Sequence, residues 1–253
     1  MDAKRGQVTT FVIVGIVILA IVILLYFLRG QLFLGPITTT SLADRLVPLE
    51  THIKDCLKKI SDEPIKRIGL QGGYLSLGEG VYRMQQGQGI SYLCFSQGGK
   101  ATCSNRMLTS TFMEQQLSDA ISKGLATCLN IGKFKKGFDL NIGTQKVTTA
   151  IGPSAVVVTL NLPLKLRKDD VVVQRDTFSQ SFPYPLGRLY EVSQDIVDYE
   201  SEFGEFEQLS YMLTHKGEYV IEKKKPYPDK LYILKTKDSS YIFQFMIQGE
   251  ATS

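Results

Sequence analysis

Tryptophan is absent from this chain, and histidine occurs only twice, at His52 and His215. Neither imidazole has a neighbour that suggests general acid–base work, and a Ser/His/Asp arrangement would have to use one of these two. The G-x-S-x-G, H-E-x-x-H and G-x-x-x-x-G-K-[ST] patterns are missing, as is any N-x-[ST] glycosylation acceptor. The expectation is a protein that is not an enzyme and carries no cofactor.

Charge is absent over one long stretch. After Lys4 and Arg5 no ionisable acid or base other than Tyr26 appears until Arg29. The intervening segment, VTTFVIVGIVILAIVILLYFL, is rich in Ile, Val and Leu. Thr9 to Leu28 as a helix would span about 30 Å, the thickness of a bilayer's hydrocarbon core. Cleavage after the run, as in a secretory signal, would need a small-x-small site, and LRGQLFLGP follows instead. The basic pair before the run orients the N-terminus to the cytoplasm and residues 31–253 outside. These features predict a membrane partner and an extracellular C-terminal region.

Elsewhere the net charge is +4 with the basic residues scattered, which argues against nucleic acid as a partner. About 220 residues follow the apolar run, enough for a folded body with its own core.

Cysteine is scarce but even in number: Cys56, Cys94, Cys103 and Cys128. In an extracytoplasmic body this suggests two disulfides, for which three connectivities exist. CFSQGGKATC favours one of them. Gly98-Gly99 suits a two-residue hairpin turn, and counting outward sets Cys94 opposite Cys103 at a non-hydrogen-bonded position, with Cα atoms about 4.5 Å apart. Cys56 and Cys128 are then the remaining pair. Zinc would want closer Cys or His pairs than these spacings offer, so no metal is expected.

Hydrophobic periodicity orders the rest. Residues 31–40 read as a linker with Pro36. A helix follows from about Ser41, as cap, to Ile60, with Leu42, Leu46, Leu49, Ile53 and Leu57 on one face. RIGLQGGYLSLGEGVYRM reads as short strands among turn glycines. Ser110 to Leu129 reads as a helix with Phe112, Leu117, Ile121, Leu125 and Leu129 inward, and GKFKKGF as a solvated turn. Residues 138–183 read as strands, most firmly VVVTLNL and VVVQ. PYPLGRLYEVSQDIVDYESEFGEFEQLSYMLTH turns helical, with a break at Gly204 and a buried side of Leu189, Ile196, Val197, Phe203, Phe206, Leu209 and Leu213. Its acids, Glu191, Asp195, Asp198, Glu200, Glu202, Glu205 and Glu207, have no Lys or Arg between Arg188 and Lys216, so residues 189–207 form a solvated face, a cation site or a docking surface. KGEYVIEKK, KLYILKTK and SYIFQFMIQ read as three closing strands, with KKKPYPDK as a loop at a blunted edge.

The leader KRGQVTTF, followed by a long apolar helix, resembles the N-terminus of archaeal type IV pilin-like proteins. Where many bacterial pilins carry Glu this chain has Phe11, which suits the archaeal pattern better. The resemblance implies a leader peptidase that recognises Lys4, Arg5 and Gly6 and cuts before Gln7. It implies a retained helix that packs with its copies into a filament core, by self-association. A second likeness runs over residues 4–130, through Cys56, Gly72, Gly73 and Cys128: the order of apolar helix, Pro, Cys-bearing helix, GLQGGYLSL and a later Cys-bearing helix is similar to a group of surface proteins from small-genome archaea.

The combined expectation is an α+β chain: a leader at 1–6, a long hydrophobic N-terminal helix at 7–35 serving as membrane span or filament core, and an extracellular head at 41–253 with a candidate boundary near 132. The head is an antiparallel β-sheet packed with two or three helices. Function follows the resemblance: a pilin-like subunit whose disulfide-linked head meets a surface or cell receptor, in the membrane or in an extracellular filament. The competing expectation is a single-pass, membrane-anchored surface scaffold that does not polymerise.

Overall fold

The computed structural model describes residues 13–24, 26, 39–96, 103–134, 139–238 and 240–249. Among the described residues, helices α1 (Thr39–Leu70), α2 (Ser110–Cys128), α3 (Leu186–Phe203) and α4 (Gln208–Thr214) combine with nine strands. These are β1 (Tyr82–Gln85), β2 (Gln88–Cys94), β3 (Asp139–Ile142), β4 (Lys146–Ile151), β5 (Val156–Lys168), β6 (Val171–Phe182), β7 (Tyr219–Lys224), β8 (Lys230–Thr236) and β9 (Phe243–Ile247). The class is α+β with sheets that are mostly antiparallel.

One element of the expected fold is corrected. The sequence predicts a hydrophobic helix over 7–35, but no helix among the described residues is long and apolar enough to cross a membrane. Residues 13–24 are helical, with every described side chain exposed. The leader residues Lys4, Arg5, Gly6 and Gln7 lie outside the described residues, as do most of the expected linker and the Gly98-Gly99 turn.

Helix α1 is longer than the periodicity suggested. It begins at Thr39, before Ser41, and runs ten residues past Ile60, through Pro48 and Pro64, to Leu70. The apolar stripe explains the extension: Leu42, Leu46, Leu49, Ile53, Leu57, Ile65 and Ile68 are all buried, and their burial outweighs the backbone hydrogen bonds that each proline removes. Gly72 and Gly73, with φ of +68° and +91°, stop it, and the Gly73 N–H donates to the Ile68 carbonyl at 2.8 Å. Arg67–Leu70 therefore closes a helix where strands were expected, and the first strand waits until Tyr82.

Helix α2 starts at an N-cap, Thr109, whose hydroxyl accepts from the Phe112 N–H at 3.2 Å. Met113, rather than Phe112, occupies the first inward position, followed by Leu117, Ile121 and Leu125. Cys128 ends it and is bonded to Cys56 of α1, with Cα atoms 5.7 Å apart. Both helices pack on a four-stranded sheet in which β5 is central: β3 and β4 pair along one side of it and β6 along the other, all antiparallel. The β5–β6 hairpin turns at Asp169, with φ of +53°. Strand β5 alternates buried and outward residues with period two, as a sheet with one covered face requires.

The second sheet has the order β1-β2-β9-β8-β7. It is mixed, because β2 and β9 run parallel while its other pairs are antiparallel. Helix α3 packs on β2, β8 and β9. One buried cluster draws residues from α1, α2, α3 and both sheets, on both sides of Gly132.

Candidate functional site

Strand β8 reads KLYILKT, so Lys230 and Tyr232 share the face that meets the end of α3. Helix α3 ends at Gly204 in the left-handed conformation (φ +82°), the role glycine fills at low cost. The last buried residue of α3 is Glu200, at 2 % exposure. Its carboxylate accepts from the Lys230 ammonium at 2.7 Å, from the Tyr232 hydroxyl, and from the Phe206 N–H at 3.1 Å. A buried carboxylate requires this kind of saturation, since a lone charge there would be very costly.

Glu205 lies just beyond the helix end and collects three lysines. Lys223 and Lys225 reach its Oε1 at 2.8 Å and 3.0 Å, and Lys230 reaches Oε2 at 3.0 Å. Burial pushes this carboxyl up, but hydrogen bonds from Lys223, Lys230 and Lys225 prevail and bring it down to about 2. Burial likewise pushes the Lys230 ammonium down, and its bonds to Glu200 and Glu205 reverse that, leaving it raised. The Tyr232 phenol is raised by burial first and by the Glu200 hydrogen bond second. A phenol held so far from ionisation serves as a hydrogen-bond donor, not as a base.

Next to this cluster, Asp229 is also buried. It accepts from Arg83 at 2.5 Å, from the Tyr92 hydroxyl at 2.6 Å and from the Gly249 N–H at 3.1 Å. The Arg83 guanidinium also donates to the carbonyls of Pro226 and Tyr227, which ties the β7–β8 loop to β1. Burial, followed by the hydrogen bond to Asp229, raises the Tyr92 phenol.

A cavity of about 440 Å³ opens between these two networks. Phe203, Gly204, Glu205, Lys225, Tyr227, Pro228, Asp229, Lys230 and Gly249 line it. Phe203 and Tyr227 are 63 % and 74 % exposed. Phe203, Leu209 and Leu213 were expected on the buried side of the helical region; all three are exposed, and Leu189, Ile196, Val197 and Phe206 are the buried members. A larger cavity of about 640 Å³ lies near Gly132, and among the described residues no ionisable side chain lines it.

Five acids of this run, Glu191, Asp195, Asp198, Glu202 and Glu207, form the exposed face that the sequence suggested, and the other two are matched by cations. Glu200 and Glu205 are neutralised by lysines from β7, β8 and their loop. Asp195 accepts from the Tyr211 hydroxyl at 2.6 Å, and Asp198 from the Asn105 side-chain amide at 2.8 Å. Among the described residues, no group of three His, Cys, Asp or Glu side chains is placed to hold a metal ion. The His52 ring is tilted against Phe134, with centroids 5.4 Å apart, and His215 stacks on Tyr211 at 4.0 Å; the structure brings neither to the cavity.

Cys94 and Cys103 are bonded, with Cα atoms 5.2 Å apart. The strand register differs from the hairpin count by two residues. Cys94 faces Asn105, with the Phe95 N–H donating to Ser104 O at 3.0 Å and the Arg106 N–H to Leu93 O at 2.8 Å. The bridge therefore joins diagonal neighbours rather than directly opposed ones. The sequence reading missed Lys230, Tyr232, Arg83 and Asp229; the alternation in KLYILKT was the signal for the first two.

Comparison with known proteins finds no matching family model, no similar curated protein and no similar solved structure.

Proposed function

We propose that this chain is a non-catalytic, pilin-like surface subunit: the apolar helical residues 13–24 pack against the same segment of other copies, and a disulfide-linked head is displayed outside the cell. The observation that carries this reading is the chemistry of 13–24. Ile, Val, Leu, Gly and Ala make up the whole stretch, and all its described side chains are exposed. A helix apolar all round needs a covering on every side, and identical helices around it supply one. The two disulfides are compatible with an oxidising, extracytoplasmic setting. The polar networks of the head support a binding role over catalysis, because each buried acid is already matched by a cation or phenol.

The leader KRGQVTTF supplies the pilin-like part of the proposal. Mass analysis of the native protein tests it: a mature N-terminus at Gln7, with ordered filaments in sheared surface fractions, is the expected result. An intact N-terminus together with a non-polymerising protein would leave the surface scaffold as the better reading.

A further inference from the structure

The geometry points to the cavity between Phe203 and Tyr227 as a binding site for a neutral oligosaccharide. Its volume of about 440 Å³ falls in the usual range for small-molecule sites. The proposal stands on this cavity alone and holds whether or not the chain polymerises.

Charge balance decides the ligand class. Lys225 and Lys230 line the cavity beside Glu205 and Asp229, two cations against two anions. A phosphate or sulfate would meet both carboxylates, and a bare cation would meet both ammonium groups. A polyhydroxylated neutral ligand suits the balanced wall, since each hydroxyl can accept from Lys225 and donate to Glu205, the two charged groups still open at the edge. The Lys225 side chain is 63 % exposed and has three donors, one of which reaches Glu205 at 3.0 Å. The Glu205 side chain is 46 % exposed at the same edge.

The aromatic residues supply the second requirement. Exposed rings at the rim of a concavity offer a flat stacking face to a ligand inside it. Phe203 and Tyr227 do so at 63 % and 74 % exposure, and Tyr199 supports the Phe203 ring with centroids 4.7 Å apart. The electron-rich faces of such rings attract the polarised C–H face of a pyranose. The polar floor is already ordered: Asp229 is held by Arg83, Tyr92 and the Gly249 N–H, and Lys230 by Glu200 and Glu205. Little side-chain entropy remains to be lost when a ligand binds.

The test places the full chain, in a sugar-free detergent, on a printed array of neutral glucose, galactose, mannose and N-acetylglucosamine oligosaccharides, with sulfated counterparts beside them. Retention on at least one neutral series is expected. Tyr227→Ala and Phe203→Ala should each weaken it by tenfold or more while leaving the melting temperature unchanged, because both rings are exposed. Absence of retention on every neutral series, retention on sulfated glycans only, or equal retention by the Phe203→Ala/Tyr227→Ala double variant would overturn the proposal.

Discussion

The Lys230 ammonium lies 2.7 Å from the Glu200 carboxylate, with side chains 14 % and 1 % exposed. The pair joins the end of α3 to β8, and the Tyr232 hydroxyl donates to the same carboxylate. A helix end is thereby fixed to the sheet beneath it by charge rather than by apolar contact alone.

Removing one partner of this pair strands the other. Lys230→Met should cost about 3–5 kcal/mol in chemical denaturation, the usual penalty for an uncompensated buried charge. The double variant Lys230→Met/Glu200→Gln should recover part of that loss, because no buried charge is then left alone.

Glu205 makes stability depend on acid. Its folded value of about 2 lies below the ordinary 4.5, so its contribution is fully present above pH 4.5 and is lost as pH falls toward 2. Denaturation midpoints should drop across that window, and Glu205→Gln should flatten the slope there. Added salt should shrink the effect, since the carboxylate is close to half exposed and screened.

The two disulfides should differ in worth. Cys56 and Cys128 are 72 residues apart and Cys94 and Cys103 only 9. On the loop-entropy model the first contributes about 4 kcal/mol and the second about 2.5 kcal/mol. Paired Cys→Ser variants, compared by denaturant unfolding, should rank in that order.

Gly187 sits where α3 begins against the β4–β5 turn. A Cβ there would come 2.6 Å from the Gly152 carbonyl oxygen, which the Gly187 N–H meets at 3.2 Å. Gly187→Ala should destabilise the head by about 1–3 kcal/mol through this backbone clash, while Gly124→Ala, facing the movable Ile60 side chain at 3.3 Å, should cost less. Thermal melts of the two variants make the comparison.

Much of the folded region from Thr39 onward was legible along the chain. Period-two alternation marked β5, the apolar stripe marked α2, and Gly204 marked the break between α3 and α4. The candidate site was only half legible. Glu200 and Glu205 stood out in a run without local cations, Asp229 did not, and the cavity's cations Lys225 and Lys230 were invisible as partners because they arrive from a loop and a strand twenty or more residues later.

Local order in this protein follows from sequence alone, because helix and strand periodicities, caps and turn glycines act over a few neighbouring residues. Tertiary structure decided the rest: the full length of α1, the parallel pairing of β2 with β9, the diagonal register around Cys94, and the lysines that neutralise Glu200 and Glu205. Each of these depends on what buries a given face or charge, and that partner lies far away in the chain.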